Sequence, residues 1–316
     1  MKKKKNYKTY HFYLPQYWPL WLVVFIAWSL VQLPYRFQMK LGEKIGLILF
    51  RYSKKAKHVS KVNIELCFPE KTEQEKTDLL KASFISLGKA VFETGLGFWG
   101  SKKRLEKLGH FHGLKKAQTA QKEKGLFLIG AHFTTLEIAG RLFAMHYPLS
   151  VMYRPHKIPF FNFIIEKSLN KHYDHAISRE TMRPMFKALK QKKAVWYSAD
   201  VNTKRQHSVF APFFGIQALT CKAPSKLADK TQCACFFGYH FRRDDNTGYD
   251  IYFDEIDNFP TDDMEADATL INALIEKAVR KKPEQYLWSY MRFKTRPMGD
   301  RRVYTGALQA ERAKGL

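Results

Sequence analysis

Gly125-Leu-Phe-Leu-Ile-Gly-Ala-His132-Phe-Thr-Thr-Leu-Glu137 decides how the chain is read. Residues 125–131 form a short apolar run without a charge, the pattern of a strand buried on both faces. The run stops at His132. Residues 133–146, FTTLEIAGRLFAMH, read as a helix, with Thr134 or Thr135 at its cap and Glu137 in its first turn. The order is strand, loop, helix, and α/β enzymes often set reactive groups at the carboxyl end of such a strand.

The same alternation continues outward. Leu149–Tyr153 predicts a strand ended by Arg154-Pro155, with helices around 160–169 and 180–191 after it. Ala194–Ser198 predicts a third strand, which delivers Asp200 at its end. Phe210–Gly215 reads as a Phe-rich turn or short strand and Ala218–Ala228 as a helix. Thr231–Tyr239 and Tyr249–Phe253 predict strands separated by the polar loop Arg242–Gly248, and Asp263–Ala278 predicts a helix. Upstream, Pro69 and the polar turn Glu70, Thr72, Glu73 start a helix over 70–98, and the charged stretch 101–124 mixes helix and turn. Strands alternating with helices argue an α/β fold. The 316 residues hold no internal repeat or long linker, so one domain with an N-terminal appendage accounts for them.

That appendage is apolar. From Phe12 to Tyr35 there is no charged residue, and Lys2–Lys5 and Lys8 precede it while Arg36, Lys40, Lys44 and Arg51 follow. Twenty-four residues of helix would cover roughly 30 Å of hydrocarbon. Ser29–Arg36 offers no small-x-small cleavage site, which argues against a removed signal peptide. The expectation is a membrane-anchoring segment over 1–36 carrying a hydrophobic helix that spans the bilayer or lies in its interface. Residues 36–60 continue as a basic amphipathic stretch.

Lys and Arg number 54 against 29 acidic residues, a net charge of +25, which implies an anionic partner. Nucleic acid is argued against by the absence of a zinc finger or RNP-like aromatic strand. The four cysteines, Cys67, Cys221, Cys233 and Cys235, form no Cys-x-x-Cys pair and no zinc-site spacing, so they read as reduced core thiols.

The chemistry suggested by the opening stretch is general-base catalysis. Imidazole titrates near neutrality, and a carboxylate on its second nitrogen would fix the tautomer and favour the imidazolium that forms. On one continuous helix His132 and Glu137 would not share a face. With His132 before the helix and Glu137 in its first turn, the carboxylate can approach the ring. Gly130-Ala-His-Phe-Thr is not a nucleophile elbow. The pair therefore suits activation of a hydroxyl carried by the substrate better than formation of a covalent enzyme intermediate. The bland alternative is a histidine satisfied by a backbone carbonyl, with Glu137 as a helix cap.

At these residues the chain resembles the lauroyl/myristoyl acyltransferase family of bacterial lipid A biosynthesis, within the lysophospholipid-acyltransferase-like superfamily. The family's histidine, four residues, acidic motif corresponds to His132-Phe-Thr-Thr-Leu-Glu137. Further blocks match in order: Asn63–Glu70, Tyr153-Arg-Pro-His156, Trp196-Tyr-Ser-Ala-Asp200, Phe210–Gly215 and Gln285–Lys294. The resemblance covers roughly residues 15–297. It implies a single glycerolipid-acyltransferase-like domain over 37–297, with a central mixed sheet flanked by helices, and a basic tail over 298–316. It implies transfer of an acyl chain, lauroyl or myristoyl, from acyl carrier protein to the hydroxyl of a hydroxyacyl chain on a Kdo2-lipid IVA-type precursor, without a metal or cofactor. The implied setting is the bacterial inner membrane, with the catalytic domain at the cytoplasmic face and anionic lipids as further partners.

By the same resemblance His132 is the base and Glu137 its orienting carboxylate. Arg154 and Arg179 are candidates for phosphate or oxyanion contacts, since arginine offers a bidentate fork, and Asp200 is a candidate substrate-binding residue. Phe213, Phe214 and Gly215 line an acyl channel or belong to the core. The chain departs from the family pattern at Val201-Asn-Thr and in the Arg242–Gly248 loop, which leaves the exact acceptor open. The competing readings are a glycerol-phosphate or lysophospholipid acyltransferase and a non-catalytic membrane scaffold.

Overall fold

In a computed structural model, residues 9–178, 182–300 and 302–304 are described. After two short 3-10 turns come α1 (Trp18–Val31), α2 (Tyr35–Tyr52), α3 (Lys54–Cys67) and α4 (Glu73–Trp99). The α/β part follows: α5 (Lys102–Leu105), β1 (Gly109–His112), α6 (Leu114–Lys124), β2 (Leu126–Gly130), α7 (Leu136–Ala144), β3 (Leu149–Tyr153), α8 (Pro159–His172), β4 (His175–Ser178), α9 (Arg183–Lys190) and β5 (Ala194–Ser198). The chain ends with β6 (Ser208–Phe213), β7 (Ile216–Cys221), α10 (Ala223–Thr231), β8 (Ala234–Arg242), β9 (Tyr249–Glu255) and α11 (Met264–Lys281).

Seven strands form one mixed sheet in the order β1-β9-β8-β2-β5-β3-β4, and β6 and β7 make a separate hairpin. All neighbours in the large sheet are parallel except β8 and β9. β2 lies at the centre and every residue of it is buried. Its alternating side chains divide between two cores, as strand geometry requires. Phe127 and Ile129 pack on one face with Val195, Tyr197 and Phe237. Leu126 and Leu128 pack on the other with Ala194, Phe236 and Leu142. The α/β class and the mixed sheet flanked by helices agree with the sequence reading. Residues 218–221 do not: they are the end of β7, because they pair with β6, and the helix begins only at Ala223.

The N-terminal helices are bolted to the domain. Gly42, Gly46 and Gly88 meet where α2 crosses α4; a Cβ on Gly88 would lie 2.2 Å from the Gly42 carbonyl oxygen. The carbonyls at and just beyond the C-terminus of α1 are answered by side chains of its neighbours. Gln38 Nε2 donates to the oxygens of Val31 and Leu33, both at 2.7 Å. Arg104 donates to the same two oxygens.

This geometry corrects the expected membrane helix. The uncharged segment is not one long helix: α1 has 14 residues, about 21 Å at 1.5 Å per residue, short of the roughly 30 Å of a bilayer core. It ends before Pro34, and α2 begins anew with polar residues on one face. Among the described residues no helix is long and apolar enough to cross a membrane. The transmembrane helix is therefore overturned. The placement in the bacterial inner membrane with a cytoplasmic catalytic domain, which the resemblance implied, conflicts with the lack of a spanning helix among the described residues. What the segment does show is an exposed apolar face, with Trp18, Leu22, Phe25 and Ile26 each more than half open.

A buried ion pair joins these helices to the sheet. Arg242, at the end of β8, donates from Nε and Nη2 to the two oxygens of Glu93 on α4 at 2.6 and 2.7 Å. Tyr249 on β9 donates to Glu93 at 2.9 Å, and Tyr35 at the start of α2 to Tyr249 at 3.0 Å. Removing one partner of such a pair leaves an unanswered charge in the interior, at a cost of about 3–5 kcal/mol. Glu93→Leu should therefore lower the urea midpoint of unfolding sharply, and Glu93→Leu with Arg242→Met should recover most of the loss. A single variant as stable as the parent would contradict this reading.

Candidate active site

The loop from β2 to α7 is held on three sides. The His132 carbonyl accepts from Leu287 N at 3.0 Å, and Thr134 N donates to the Gln285 carbonyl at 2.8 Å. Thr135 Oγ1 and His240 Nδ1 share a hydrogen bond of 2.8 Å, and Thr134 Oγ1 and Ser86 Oγ one of 2.7 Å. The Gly130 carbonyl accepts from Ala199 N at 2.8 Å, so the neighbouring β5 end is fixed to the same loop.

That fixation brings Asp200 onto His132. Its Oδ1 lies 2.6 Å from His132 Nδ1, and its Oδ2 accepts from the His132 backbone N–H at 2.9 Å and from the Tyr286 hydroxyl at 3.1 Å. The carboxylate is buried, 2% exposed, and does not reach the cavity wall. Burial alone would raise its pKa, but His132, the hydrogen bonds from it and nearby Arg292 outweigh that and hold it below the usual carboxylate range. For His132 burial would lower the pKa; Asp200 beside it, with a smaller contribution from Glu137, turns the net shift upward.

Glu137 sits in the first turn of α7, as the sequence predicts. It makes no hydrogen bond to the ring among the described residues; the partner of Nδ1 is Asp200. Glu137 is enclosed by protein yet open to the cavity, and burial pushes its carboxyl above the usual range, with His132 partly offsetting the rise.

The cavity has a volume of about 1450 Å³. His132, Glu137 and His240 border it together with apolar groups, among them Phe98, Leu136, Val151, Ile165 and Trp196. Trp196 lies across two strands, in a notch made by Gly130 and Gly238; a Cβ on either would stand 2.5–2.6 Å from the indole. Arg154, exposed just beyond β3, lines the same cavity. Arg179 lies outside the described residues. Phe213 and Phe214 belong to the core and not to the cavity wall. Among the described residues no cluster of His, Cys, Asp and Glu is arranged to hold a metal ion, and all four cysteines are buried and unbridged.

Three residues of the site carry no signal at the level of spacing. Tyr286 completes the Asp200 environment from a distant segment. Arg292, buried, donates to the Leu219 carbonyl at 2.7 Å and to Thr220 Oγ1 at 2.9 Å, and adds positive charge near Asp200. His240 is held neutral by burial, its pKa down to about 3. The first two fall in the matched block Gln285–Lys294, whose order along the chain was the available hint.

A model of the family described as bacterial lipid A biosynthesis acyltransferase matches residues 5–295. The chain belongs to this family. It is 33% identical to the lipid A biosynthesis palmitoleoyltransferase of Escherichia coli K12 over 293 residues, 92% of this chain and 95% of that one. It is 33% identical to the lauroyltransferase of the same organism over 90% of this chain and 94% of the relative. The myristoyltransferase of that organism is 24% identical over 96% and 97%. This family member is accordingly an acyltransferase enzyme within the lysophospholipid-acyltransferase-like superfamily.

With His132 as the base, proton acceptance requires the neutral ring, and activity should fall as pH drops through its raised pKa. Replacing Asp200 by Asn removes the main cause of the rise. The acid limb of the kcat/KM profile should then move to lower pH while the plateau falls by about 10²–10⁴. Glu137→Gln should move the limb the same way by less. An acid limb unmoved in Asp200→Asn would remove Asp200 from this role.

Proposed function

We propose that the enzyme transfers a fatty acyl chain of the lauroyl or myristoyl class from acyl carrier protein to the hydroxyl of a hydroxyacyl chain on a Kdo2-lipid IVA-type lipid A precursor. The observation that carries this reading is a cavity-facing imidazole whose Nδ1 is committed to buried Asp200. With Nδ1–H donated to Asp200, Nε2 carries the lone pair. It takes the proton from the acceptor hydroxyl as that oxygen attacks the thioester carbonyl. The tetrahedral oxyanion collapses, the C–S bond breaks and the carrier thiolate leaves, receiving a proton in turn from the imidazolium. Among the described residues no Ser or Cys hydrogen-bonds the ring, which favours direct transfer over an acyl-enzyme.

Asp200 orients His132 and stabilises the imidazolium. Glu137, facing the same space, adds negative potential beside the ring. Arg154 stands on the cavity wall where it can meet the oxyanion or a substrate phosphate, and Arg179 is assigned the same task from its place in sequence. The apolar wall accommodates the acyl chains. The exposed face of α1, with tryptophans at Trp18 and Trp28, is suited to rest on anionic lipids surrounding an amphiphilic acceptor.

The test is transfer from a mixture of acyl-carrier donors to the lipid A precursor, with the product read by mass spectrometry. The parent should acylate the precursor with a lauroyl- or myristoyl-class chain and leave glycerol phosphate and lysophospholipid unmodified. His132→Ala should lower the rate by at least about 10²-fold with an unchanged fold. Full activity in His132→Ala, or transfer to the glycerolipid acceptors alone, would sink the reading.

A further inference from the structure

One wall of the cavity carries charge that the reaction at His132 does not use. Lys222, Lys226 and Lys230 recur every four residues along α10, with Lys222 at its N-cap, and all three border the cavity. Every fourth position falls on one helix face, and the stretch covers about 12 Å at 1.5 Å per residue. Lys204, in the loop after β5, borders the same space. Some lysines elsewhere on the surface are paired, such as Lys116 with Glu255, Lys193 with Asp174 and Lys282 with Asp244. Among the described residues these four have no carboxylate within ion-pair distance. The one acid of α10, Asp229, is not on the cavity wall, where Glu137 is the only carboxylate among the described residues. Like charges spaced by one helical turn repel, so the arrangement is favourable when an anion sits between them.

The cavity thus joins a basic wall to apolar groups and to the His132 imidazole on its lining, which is the polarity of an anionic amphiphile. We propose that the lysine face of α10 is the subsite for the phosphorylated headgroup of the acceptor lipid, a phosphate monoester on a sugar. Lys222, Lys226 and Lys230 grip the phosphate, with Lys204 contributing from the adjoining loop, while the hydroxyl-bearing chain runs along the apolar wall to His132. Ammonium groups suit this task as adaptable point charges for phosphate. The inference rests on the proposed function for the identity of the acceptor.

The test compares the full chain with Lys222→Gln/Lys226→Gln/Lys230→Gln, substitutions that preserve helix propensity. Equilibrium binding of an acylated glucosamine phosphate and of its dephosphorylated counterpart, both in neutral detergent micelles, is followed by tryptophan fluorescence. The parent should bind the phosphorylated lipid at least tenfold more tightly, and the triple variant should bind both alike. The single variant Lys226→Gln, at the centre of the face, should lose part of the preference, which keeps the test decisive if the triple variant folds poorly. In initial-rate measurements the triple variant should show a KM for the lipid acceptor raised at least tenfold and an unaltered KM for the acyl carrier. A preference for phosphate undiminished in both the triple variant and Lys226→Gln would overturn the proposal. A rise confined to the KM for the acyl carrier would also overturn it, and would make α10 a docking face for an acidic protein. Failure of the proposed function looks different: the parent would transfer no acyl chain while its phosphate preference, and the loss of that preference in the variants, persisted.

Discussion

Arg242 and Glu93 meet where three parts of the chain converge, and their pairing is obligatory because neither charge has access to water. Glu93 belongs to the longest described helix, Arg242 to the end of a central strand, and Tyr249 and Tyr35 extend the contact to β9 and to α2. The same arginine is tied through its backbone to Gln285, donating to the side-chain oxygen at 2.7 Å and accepting from the side-chain amide at 2.9 Å. Gln285 in turn holds the backbone of Thr134. The charge pair is thereby linked by hydrogen bonds to the loop carrying His132. Buried polar networks of this kind do not tolerate partial satisfaction, so helices, sheet and loop are fixed together.

Two carboxylates surround His132 in environments that push them apart. Asp200 is shielded from the cavity, answered by three donors and kept ionised. Glu137 faces the cavity, lacks a hydrogen bond to the ring and is harder to ionise. Such divergence assigns different work to chemically similar groups. The buried carboxylate can govern the tautomer and charge of the imidazole at all stages of a reaction. The open one is placed to respond to whatever enters.

The sequence pattern disclosed much of this and missed specific parts for physical reasons. The all-buried run at β2 was legible because a strand buried on both faces has a distinctive composition; Thr135 stands at the N-cap position of α7 but makes no side-chain capping bond, its hydroxyl going to His240 instead. Asp200 was legible as the end of a strand, but its partner was not, since β2 and β5 are adjacent only through the register that sets Gly130 opposite Ser198. Sequence proximity favoured Glu137 as the ring's hydrogen-bond partner; spatial pairing gave that bond to Asp200. β1 and β4, four residues each, carry too few side chains for a periodic signal. The uncharged stretch from Phe12 to Tyr35 suggested one continuous span, yet its α-helix is confined to Trp18–Val31, with Pro15 in the 3-10 turn before it, Pro19 in its first turn and Pro34 beyond its end.

The volume beside His132 has a bearing on the order of events in catalysis. At about 1450 Å³ it exceeds the roughly 300–1,000 Å³ usual for a pocket that holds one small molecule. A volume of this size leaves room for more than one aliphatic chain. On the proposed reaction, donor and acceptor would then be bound simultaneously, and the thioester would not need to react before the alcohol arrives. Kinetically this is a sequential mechanism through a ternary complex, recognisable by double-reciprocal plots that intersect where those of a ping-pong enzyme run parallel.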